Sequence, residues 1–189
     1  MPRDALDNPL VLPLLGLLIE QPAHPYDLTR RLGDRYRHLI VRRSSVTTLA
    51  RSLAAAGLVR PQRRRRVAGR RARTAYELTD AGYALVRTRV ADDLVSARAG
   101  SKTFILAISY VGVLPVRDAI DVLRRRLIGL RAELSAASVS HSLPEYQMLE
   151  VAYWRQLLRG EIGWVQALVD RLAAGAIDWP SRETPRGVK

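Results

Sequence analysis

Residues 42–58 of the chain read RRSSVTTLARSLAAAGL. The apolar residues of this stretch recur at i, i+3, i+4 and i+7, the spacing of one buried helical stripe: Val46, Leu49, Ala50 and Leu53. Gly57 stands where a C-terminal helix cap is expected. The opposite face carries short polar and basic side chains and no acidic one. The stretch therefore predicts an amphipathic helix whose outer face is polar and positively charged.

Two helices are predicted before this stretch. Asn8 resembles an N-cap ahead of the apolar run 10–19. Pro13 lies inside that run and predicts either a kink or a helix that begins near it. Pro25 opens the second helix, whose inner side carries two leucines one turn apart, Leu28 and Leu32.

A basic hairpin is predicted after the third helix. Residues 58–65 form one candidate strand and residues 73–78 the returning strand, with a loop centred on Gly69. Thr79 is placed to cap a fourth helix that runs to about Ala99. The tip and flanks of the hairpin carry seven arginines: Arg63, Arg64, Arg65, Arg66, Arg70, Arg71 and Arg73.

Positive charge is concentrated in the same region. The whole chain has a formal net charge of +13, and between Asp34 and Glu77 it holds 13 arginines and no acidic residue. Codon usage explains a preference for arginine over lysine, but it does not explain the missing acids. Such a block indicates a polyanionic partner, with nucleic acid favoured and an anionic membrane surface as the weaker alternative.

Three helices followed by a basic hairpin are the plan of a winged helix-turn-helix, whose third helix enters the major groove of DNA. The predicted groove-facing residues are Arg42, Arg43, Ser44, Ser45, Thr47, Thr48 and Arg51. The arginines of the hairpin, or wing, are predicted to contact phosphates or the minor groove. Tyr26 in the second helix is a further, weaker candidate. Each signal alone is explained by a solvated surface, but their order along the chain predicts binding to double-stranded DNA.

Three alternatives to a sequence-specific regulator are an architectural protein, an enzyme and an interaction adaptor that has lost DNA binding, and the intact basic wing argues against the adaptor. The arginine excess alone also suits an architectural protein that binds DNA without sequence preference, although the serines and threonines of the third helix argue against it. An enzyme would need a catalytic set. The candidates are an acid–base pair of His24 and Asp27 and a buried acid at Glu161 near Trp164. Neither is accompanied by a nucleophile or a set of metal ligands. We therefore expect a protein that is not an enzyme, with a helix-capping or packing role for His24.

The C-terminal half is predicted to be helical, with one long helix from Val116 and another from Glu145 to about Ala174. In the first of these helices, apolar residues from Ile120 to Ala137 alternate in steps of three and four, as in a packed seam. The second of these helices carries the stripe Tyr153, Leu157, Trp164, Leu168 and Leu172. This is more apolar surface than two helices bury in a small module, so a homodimer is expected. The candidate dimerisation residues are Ile120, Leu123, Leu127, Leu130, Leu134, Leu157, Trp164 and Leu168.

Together these elements predict a mainly α fold. An N-terminal winged helix-turn-helix, three helices plus a β-hairpin wing, is followed by a C-terminal antiparallel helical dimerisation domain. The expected boundaries are 1–95, 96–178 and a loose tail over 179–189. Aromatic rings also gather in the C-terminal half, where a flat face with a polar handle suits a planar effector. The candidate effector pocket comprises Phe104, Tyr110, Tyr153 and Trp154.

The composition argues against several classes of site. The chain has no cysteine and three scattered histidines, so a disulfide framework or a zinc site is not expected, and neither is a metal or another cofactor. The N-terminus has no signal-peptide pattern, and the longest apolar run is too short to cross a bilayer. We expect a cytoplasmic protein, associated with the nucleoid and without a membrane partner.

Several motifs resemble those of the PadR-like transcriptional regulators. LLGLL at residues 14–18 and QPAHPYDL at residues 21–28 are similar to the family's apolar helix and its His-Gly-Tyr-Glu-Leu motif. SSVT at 44–47 and GLV at 57–59 are similar to the family's recognition helix. YELTDAG at 76–82 is similar to the junction that follows its wing. Its longer C-terminal helical domain is similar to the region that holds Phe104, Leu114–Pro115 and EIGW at 161–164.

The resemblance covers nearly the whole chain and implies a regulator, with repression as the default and release by a small aromatic or lipophilic effector. Pro25 stands where the family usually has Gly, a change that a helix start tolerates. Ser44 and Thr47 stand where Gly and Tyr are usual in the recognition helix. These departures imply a different operator sequence.

Overall fold

The chain folds mainly into helices, with one two-stranded hairpin, as predicted. The computed structural model describes residues 8–36, 41–62, 74–137 and 144–180. The N-terminal elements are α1 (Val11–Glu20), α2 (Pro25–Arg35), α3 (Arg43–Ala55), β1 (Val59–Gln62), β2 (Ala75–Leu78) and α4 (Asp80–Ser96). They are followed by α5 (Lys102–Ser109), a 3-10 turn (Val111–Val113), α6 (Val116–Ala136), a second 3-10 turn (Glu145–Gln147) and α7 (Leu149–Ala173).

The chain divides into two compact units, Met1–Thr88 and Arg89–Lys189, and the division falls inside α4. We call them the N-terminal unit and the C-terminal unit. The domain boundary predicted at residue 95 stays a prediction. In the described part of the chain, no helix is both long enough and apolar enough to cross a membrane.

Helix α1 forms the centre of the N-terminal unit. Every residue from Val11 to Leu18 is buried, which its apolar sequence demands. The helix begins at Val11, so Pro13 lies in the first turn, where its missing N–H costs no helical hydrogen bond. The backbone N–H of Leu10 donates to the Asn8 side chain at 2.9 Å, which fixes the entry to this helix.

Helix α2 begins as predicted at Pro25. His24 is its N-cap, and His24 Nδ1 accepts the backbone N–H of Tyr26 at 3.1 Å. The expected capping role of His24 is therefore confirmed. Leu28 and Leu32 are fully buried on the inner side, as their spacing indicates.

The hairpin strands pair antiparallel, with Val59 opposite Leu78 and Gln62 opposite Ala75. The connector between α1 and α2 also pairs with this hairpin. Ala23 and Tyr76 exchange two backbone hydrogen bonds, of 3.0 and 2.9 Å. This bridge was not predicted, and it attaches the start of α2 to β2.

Two glycines shape the turns around the hairpin. Gly57 has φ +72°, the left-handed conformation of a helix C-terminus, which confirms the predicted cap. The Thr79 hydroxyl donates to the Gly57 carbonyl at 2.7 Å and accepts the Gly82 N–H at 3.1 Å, which confirms Thr79 as the cap of α4. Gly82 itself packs against backbone, since a Cβ there would lie 2.1 Å from the Leu58 carbonyl oxygen.

In the C-terminal unit, α6 and α7 form an antiparallel pair. Arg155, early in α7, donates to the carbonyls of Leu134 and Ala137 at the end of α6. Arg126, in the middle of α6, is paired with Glu161 in the middle of α7. Arg155 thus provides the last turn of α6 with donors that the helix itself lacks.

The inward face of α7 differs from the predicted stripe. Its buried residues are Leu158, Val165, Val169 and Leu172, whereas Tyr153 is 70% exposed and Trp164 is 51% exposed. Of the predicted stripe, only Leu172 is buried. Helix α7 is apolar around much of its circumference, and the face one residue further along packs against α6.

Arg126 is a buried charge at the centre of the C-terminal unit. Its Nε lies 2.6 Å from Glu161 Oε1, Nη2 also pairs with Glu161, and Nη1 donates at 3.0 Å to the carbonyls of both Leu94 and Ala97. The guanidinium carbon lies 3.9 Å from the ring centre of Phe104. Arg126 therefore joins α6 to α7 and also caps the C-terminal end of α4.

The segment after α7 returns to the body of the same unit. The Trp179 indole N–H donates to the Leu114 carbonyl at 2.9 Å. The tail predicted to be loose is therefore attached at its first residue. Residues 181–189 lie outside the described residues.

Candidate nucleic-acid interface

Helix α3 buries one face and presents the other to solvent. Val46, Leu49, Ala50 and Leu53 are at most 5% exposed, which is the stripe predicted from the sequence. Six of the seven predicted groove-facing residues are exposed: Arg42, Arg43, Ser44, Ser45, Thr48 and Arg51. The seventh, Thr47, is half-buried, and its hydroxyl donates to the Arg43 carbonyl at 3.0 Å.

The first turn of α3 is unusual in its charge. Its N-cap, Arg42, makes no side-chain cap hydrogen bond, and no acidic residue lies in the first turn. Arg42 and Arg43 therefore place two positive charges at the end of the helix where the macrodipole is already positive. Within the described residues, this helix start therefore has neither a side-chain cap nor an acidic first turn, and a bound anion would supply the same stabilisation.

The arginines of the N-terminal unit fall into two groups. Arg31 and Arg35 both pair with Glu20, and Arg60 pairs with Glu77 across the hairpin. By contrast, no carboxylate of the described residues lies within ion-pair distance of Arg43 and Arg51 of α3 or of its N-cap, Arg42. Arg30 of α2 likewise has no carboxylate partner among the described residues, so the unpaired arginines of the described part of this unit are Arg30 and the three at the start and on the exposed face of α3.

Arg43 has a contact of another kind. Its guanidinium carbon lies 5.3 Å from the ring centre of Tyr26, the second residue of α2. Tyr26 is 47% exposed. The weaker candidate from α2 and one candidate from α3 are thus brought together on the surface.

The stem of the wing is described, but its tip is not. The described strands end at Gln62 and resume at Ala75. The seven predicted wing arginines lie outside the described residues: Arg63, Arg64, Arg65, Arg66, Arg70, Arg71 and Arg73.

The candidate effector residues occupy different environments. Phe104 is buried and meets the Trp164 ring edge-on, with ring centres 6.4 Å apart. Trp154 packs against a separate buried cluster of Ala99, Leu130 and Leu158. Tyr110 is buried and Tyr153 is mostly exposed. The described contacts thus place Phe104 beside Trp164, and Trp154 in a different cluster.

Among the described residues, no group of three or more histidine, aspartate or glutamate side chains is placed to hold a metal ion. The pKa of Asp93 in α4 is raised by burial, and the neighbouring Arg89 opposes the shift. Asp93 is distant in sequence from α3 and from the hairpin, and it has no evident part in the candidate interface.

Comparison with known proteins finds a family match in the N-terminal region. Residues 14–88 match the family model described as the transcriptional regulator PadR-like family. That range includes α2, α3, the hairpin and the first half of α4. No curated protein matches the chain.

Among solved structures, the chain is similar to PadR of Bacillus subtilis in complex with operator DNA. The identity is 18% and the TM-score 0.40, over 86% of this chain and 98% of that one. The same protein in complex with p-coumaric acid has 18% identity and a TM-score of 0.36, over 87% and 98%. A PadR-like transcriptional regulator of Bacillus cereus has 11% identity and a TM-score of 0.36, over 87% and 98%. The match of residues 14–88 agrees with the resemblance seen in the sequence, and this region is similar to the PadR-like transcriptional regulators.

Proposed function

We propose that the protein is a sequence-specific DNA-binding transcriptional regulator, with α3 as its recognition helix. The observation that carries the proposal is the exposed face of α3, which lies within a PadR-like domain and combines arginines without acidic partners with serine and threonine hydroxyls. Arginine and hydroxyl side chains are suited to both phosphate oxygens and base edges in the major groove. The uncapped, positively charged start of α3 supports an anionic partner for the same reason.

The test is a comparison of binding to the gene's own promoter with binding to a scrambled sequence across a range of salt concentrations. The expected result is a protected inverted repeat, with half-site centres about 34–36 Å apart. Arg51→Ala is expected to relax the preference for the promoter sequence. The double change Arg64→Ala and Arg65→Ala is expected to weaken binding to all DNA sequences equally and to reduce the dependence of affinity on salt. Arg117→Ala, an exposed arginine of the C-terminal unit, is the control for loss of one charge. Equal affinity for both sequences at every salt concentration would favour an architectural protein instead.

An inverted repeat requires a twofold-symmetric protein, and the proposed regulator is a homodimer that assembles through its C-terminal unit. Of the candidate dimerisation residues, Leu123, Leu127 and Leu130 are buried within one chain. They support the interface indirectly by fixing α6 against α7. The other five keep some exposure and are the candidates for direct contact: Ile120, Leu134, Leu157, Trp164 and Leu168.

Exposed apolar surface on α7 supports this assembly. Leu149 is 59% exposed, and Tyr153 and Trp164 are half or more exposed. Large apolar side chains gathered on one helix usually mark an interface. Trp164→Glu is expected to shift the protein from dimer to monomer in light scattering at micromolar concentration. Ile105→Glu, at a similarly exposed apolar position on α5, is the matched control and is expected to stay dimeric. A wild-type monomer at that concentration would contradict the proposal.

A small aromatic or lipophilic effector is proposed as the signal that releases a repressor of this kind from DNA. The candidate residues are Phe104, Tyr110, Tyr153 and Trp154, and a solved PadR structure contains p-coumaric acid. Such a ligand acts only to the extent that it binds the DNA-free form more tightly. Calorimetric titration with p-coumaric acid and with lipophilic dyes, repeated on the operator complex, tests the idea. Saturable binding that leaves operator affinity unchanged would contradict it.

The proposed protein acts in the cytoplasm, on DNA of the nucleoid. Regulation by binding requires no catalytic group, and none is proposed.

A further inference from the structure

The pair formed by Tyr26 and Arg43 joins the two helices of the helix-turn-helix at their exposed ends. Arg43 is the first residue of α3 and Tyr26 the second residue of α2, and the guanidinium carbon lies 5.3 Å from the ring centre. Both side chains are exposed, so their contact is available to a ligand rather than buried in the core.

The backbone under both residues is firmly held. On the α2 side, His24 Nδ1 accepts the Tyr26 N–H, and Ala23 is bonded twice to Tyr76 of the hairpin. On the α3 side, the Thr47 hydroxyl donates to the Arg43 carbonyl. The backbone positions from which the tyrosine ring and the arginine side chain project are therefore set by the fold.

Arg43 lies on a different side of α3 from the centre of the exposed face. Residues 43, 47 and 50 share one stripe at i, i+4 and i+7. Along this stripe Thr47 is half-buried and Ala50 fully buried, so the stripe turns towards the body of the unit. Ser44, Thr48 and Arg51 lie on the next stripe, and all three are exposed.

A guanidinium that rests on an aromatic ring keeps its hydrogen-bond donors. The five N–H groups of arginine lie in the guanidinium plane, so they remain free to bind a phosphate in a bidentate manner. The ring also restricts the rotamers of the side chain before DNA arrives, which lowers the entropic cost of binding. Arg43 is thus prepared for a phosphate at the edge of the groove, away from the bases at its floor.

We infer that Tyr26 is a positioning residue that holds Arg43 for contact with the DNA backbone, so that Arg43 contributes affinity without sequence preference. Base reading is left to Ser44, Thr48 and Arg51. This inference rests on the proposed function. It separates Arg43 from the other groove-facing residues and gives the exposed ring of Tyr26 a specific role.

The experiment is a double-mutant cycle in the full-length protein, with binding to the promoter site and to scrambled DNA as the two readouts. Arg43→Ala is expected to weaken binding to both DNAs by the same factor and to reduce the dependence of affinity on salt. Tyr26→Leu is expected to weaken binding to both DNAs by about two- to fivefold per half-site, which is the range for the loss of an exposed cation–π contact. Tyr26→Phe keeps the ring and is expected to bind like the wild type.

The decisive result is the combination of the two changes. In the Arg43→Ala background, Tyr26→Leu is expected to have no further effect, because the residue that it positions is gone. Independent losses in the double variant, or a loss in Tyr26→Phe equal to that in Tyr26→Leu, would overturn the inference. So would a change of base preference in Arg43→Ala. Wild-type protein that binds no DNA would instead refute the proposed function. Unchanged melting temperatures exclude misfolding as the cause of any loss.

Discussion

Replacement of the buried arginine of the C-terminal unit tests the account of its core most directly. In Arg126→Met, the two contacts with Glu161 disappear, and so do the two 3.0 Å hydrogen bonds to the carbonyls at the end of α4. The Glu161 side chain is only 9% exposed, and the Gly100 N–H, at 2.7 Å, is the donor that remains. Methionine keeps most of the apolar stem, so the change isolates the charged head.

The expected loss is large because one charge is left behind. Removal of one partner from a buried ion pair costs about 3–5 kcal/mol of the free energy of unfolding. Arg126→Met combined with Glu161→Met is expected to cost less than Arg126→Met alone, since no carboxylate then remains without its partner. Arg125→Met, at the exposed neighbouring position on α6, is the matched control and is expected to change the free energy of unfolding by less than about 0.5 kcal/mol.

Urea denaturation followed by far-UV circular dichroism measures these differences. Hydrogen exchange of the amides of α6 and α7 locates them, because two units need not unfold in a single transition. A loss below about 1 kcal/mol in Arg126→Met would show that water replaces the lost contacts, against the reasoning from a buried pair. Strict additivity in the double variant would refute the coupling between Arg126 and Glu161.

Three further changes test local features of the fold. Gly82→Ala is expected to destabilise the N-terminal unit by about 1–3 kcal/mol, because the new Cβ meets the backbone of Leu58. A urea midpoint equal to that of the wild type would contradict this packing. Gly33→Ala, in open space within α2, is the matched control and is expected to stabilise by about 0.5–1 kcal/mol in the same denaturation assay. Burial raises the pKa of Asp93, so its ionisation opposes folding, and the stability present at low pH is lost as the pH rises through the pKa of the folded state. Asp93→Asn is therefore expected to be more stable than the wild type at pH 7 and to lose that advantage as the pH falls; an advantage for the wild type at pH 7 would mean that the ion pair with Arg89 outweighs burial.

Features that depend on neighbouring residues could be predicted from the sequence. The stripe of α3, the left-handed cap at Gly57 and the bond from the Gly82 N–H to the Thr79 hydroxyl all depend on residues that are close together along the chain. Their physical cause is local, and a single sequence contains it. The same holds for His24, whose position before Pro25 is enough to indicate a helix start.

Features that depend on residues distant along the chain could not be predicted from the sequence. Nothing in the sequence near Ala23 indicates that it pairs with Tyr76, since the bridge is made by backbone atoms. Arg126 stands beside the leucines of the predicted seam, and an arginine there is equally compatible with a solvated edge until Glu161 is known to face it. The residues of α7 that face α6 could not be identified from the sequence, because two overlapping stripes of that helix are apolar and the choice between them is made by α6.

The distribution of tryptophan gives each half of this molecule its own optical signature. The three tryptophans, Trp154, Trp164 and Trp179, all belong to the C-terminal unit, whereas the only aromatic rings of the Phe, Tyr and Trp type in the N-terminal unit are tyrosines. Intrinsic emission excited at the red edge of the indole band therefore reports on one unit alone, without labelling. The three indoles also differ in setting: one is packed in a buried cluster, one is half exposed, and one is hydrogen-bonded to the Leu114 carbonyl. Single Trp→Phe replacements would resolve them into separate reporters of the core, the exposed α7 surface and the attachment of the tail.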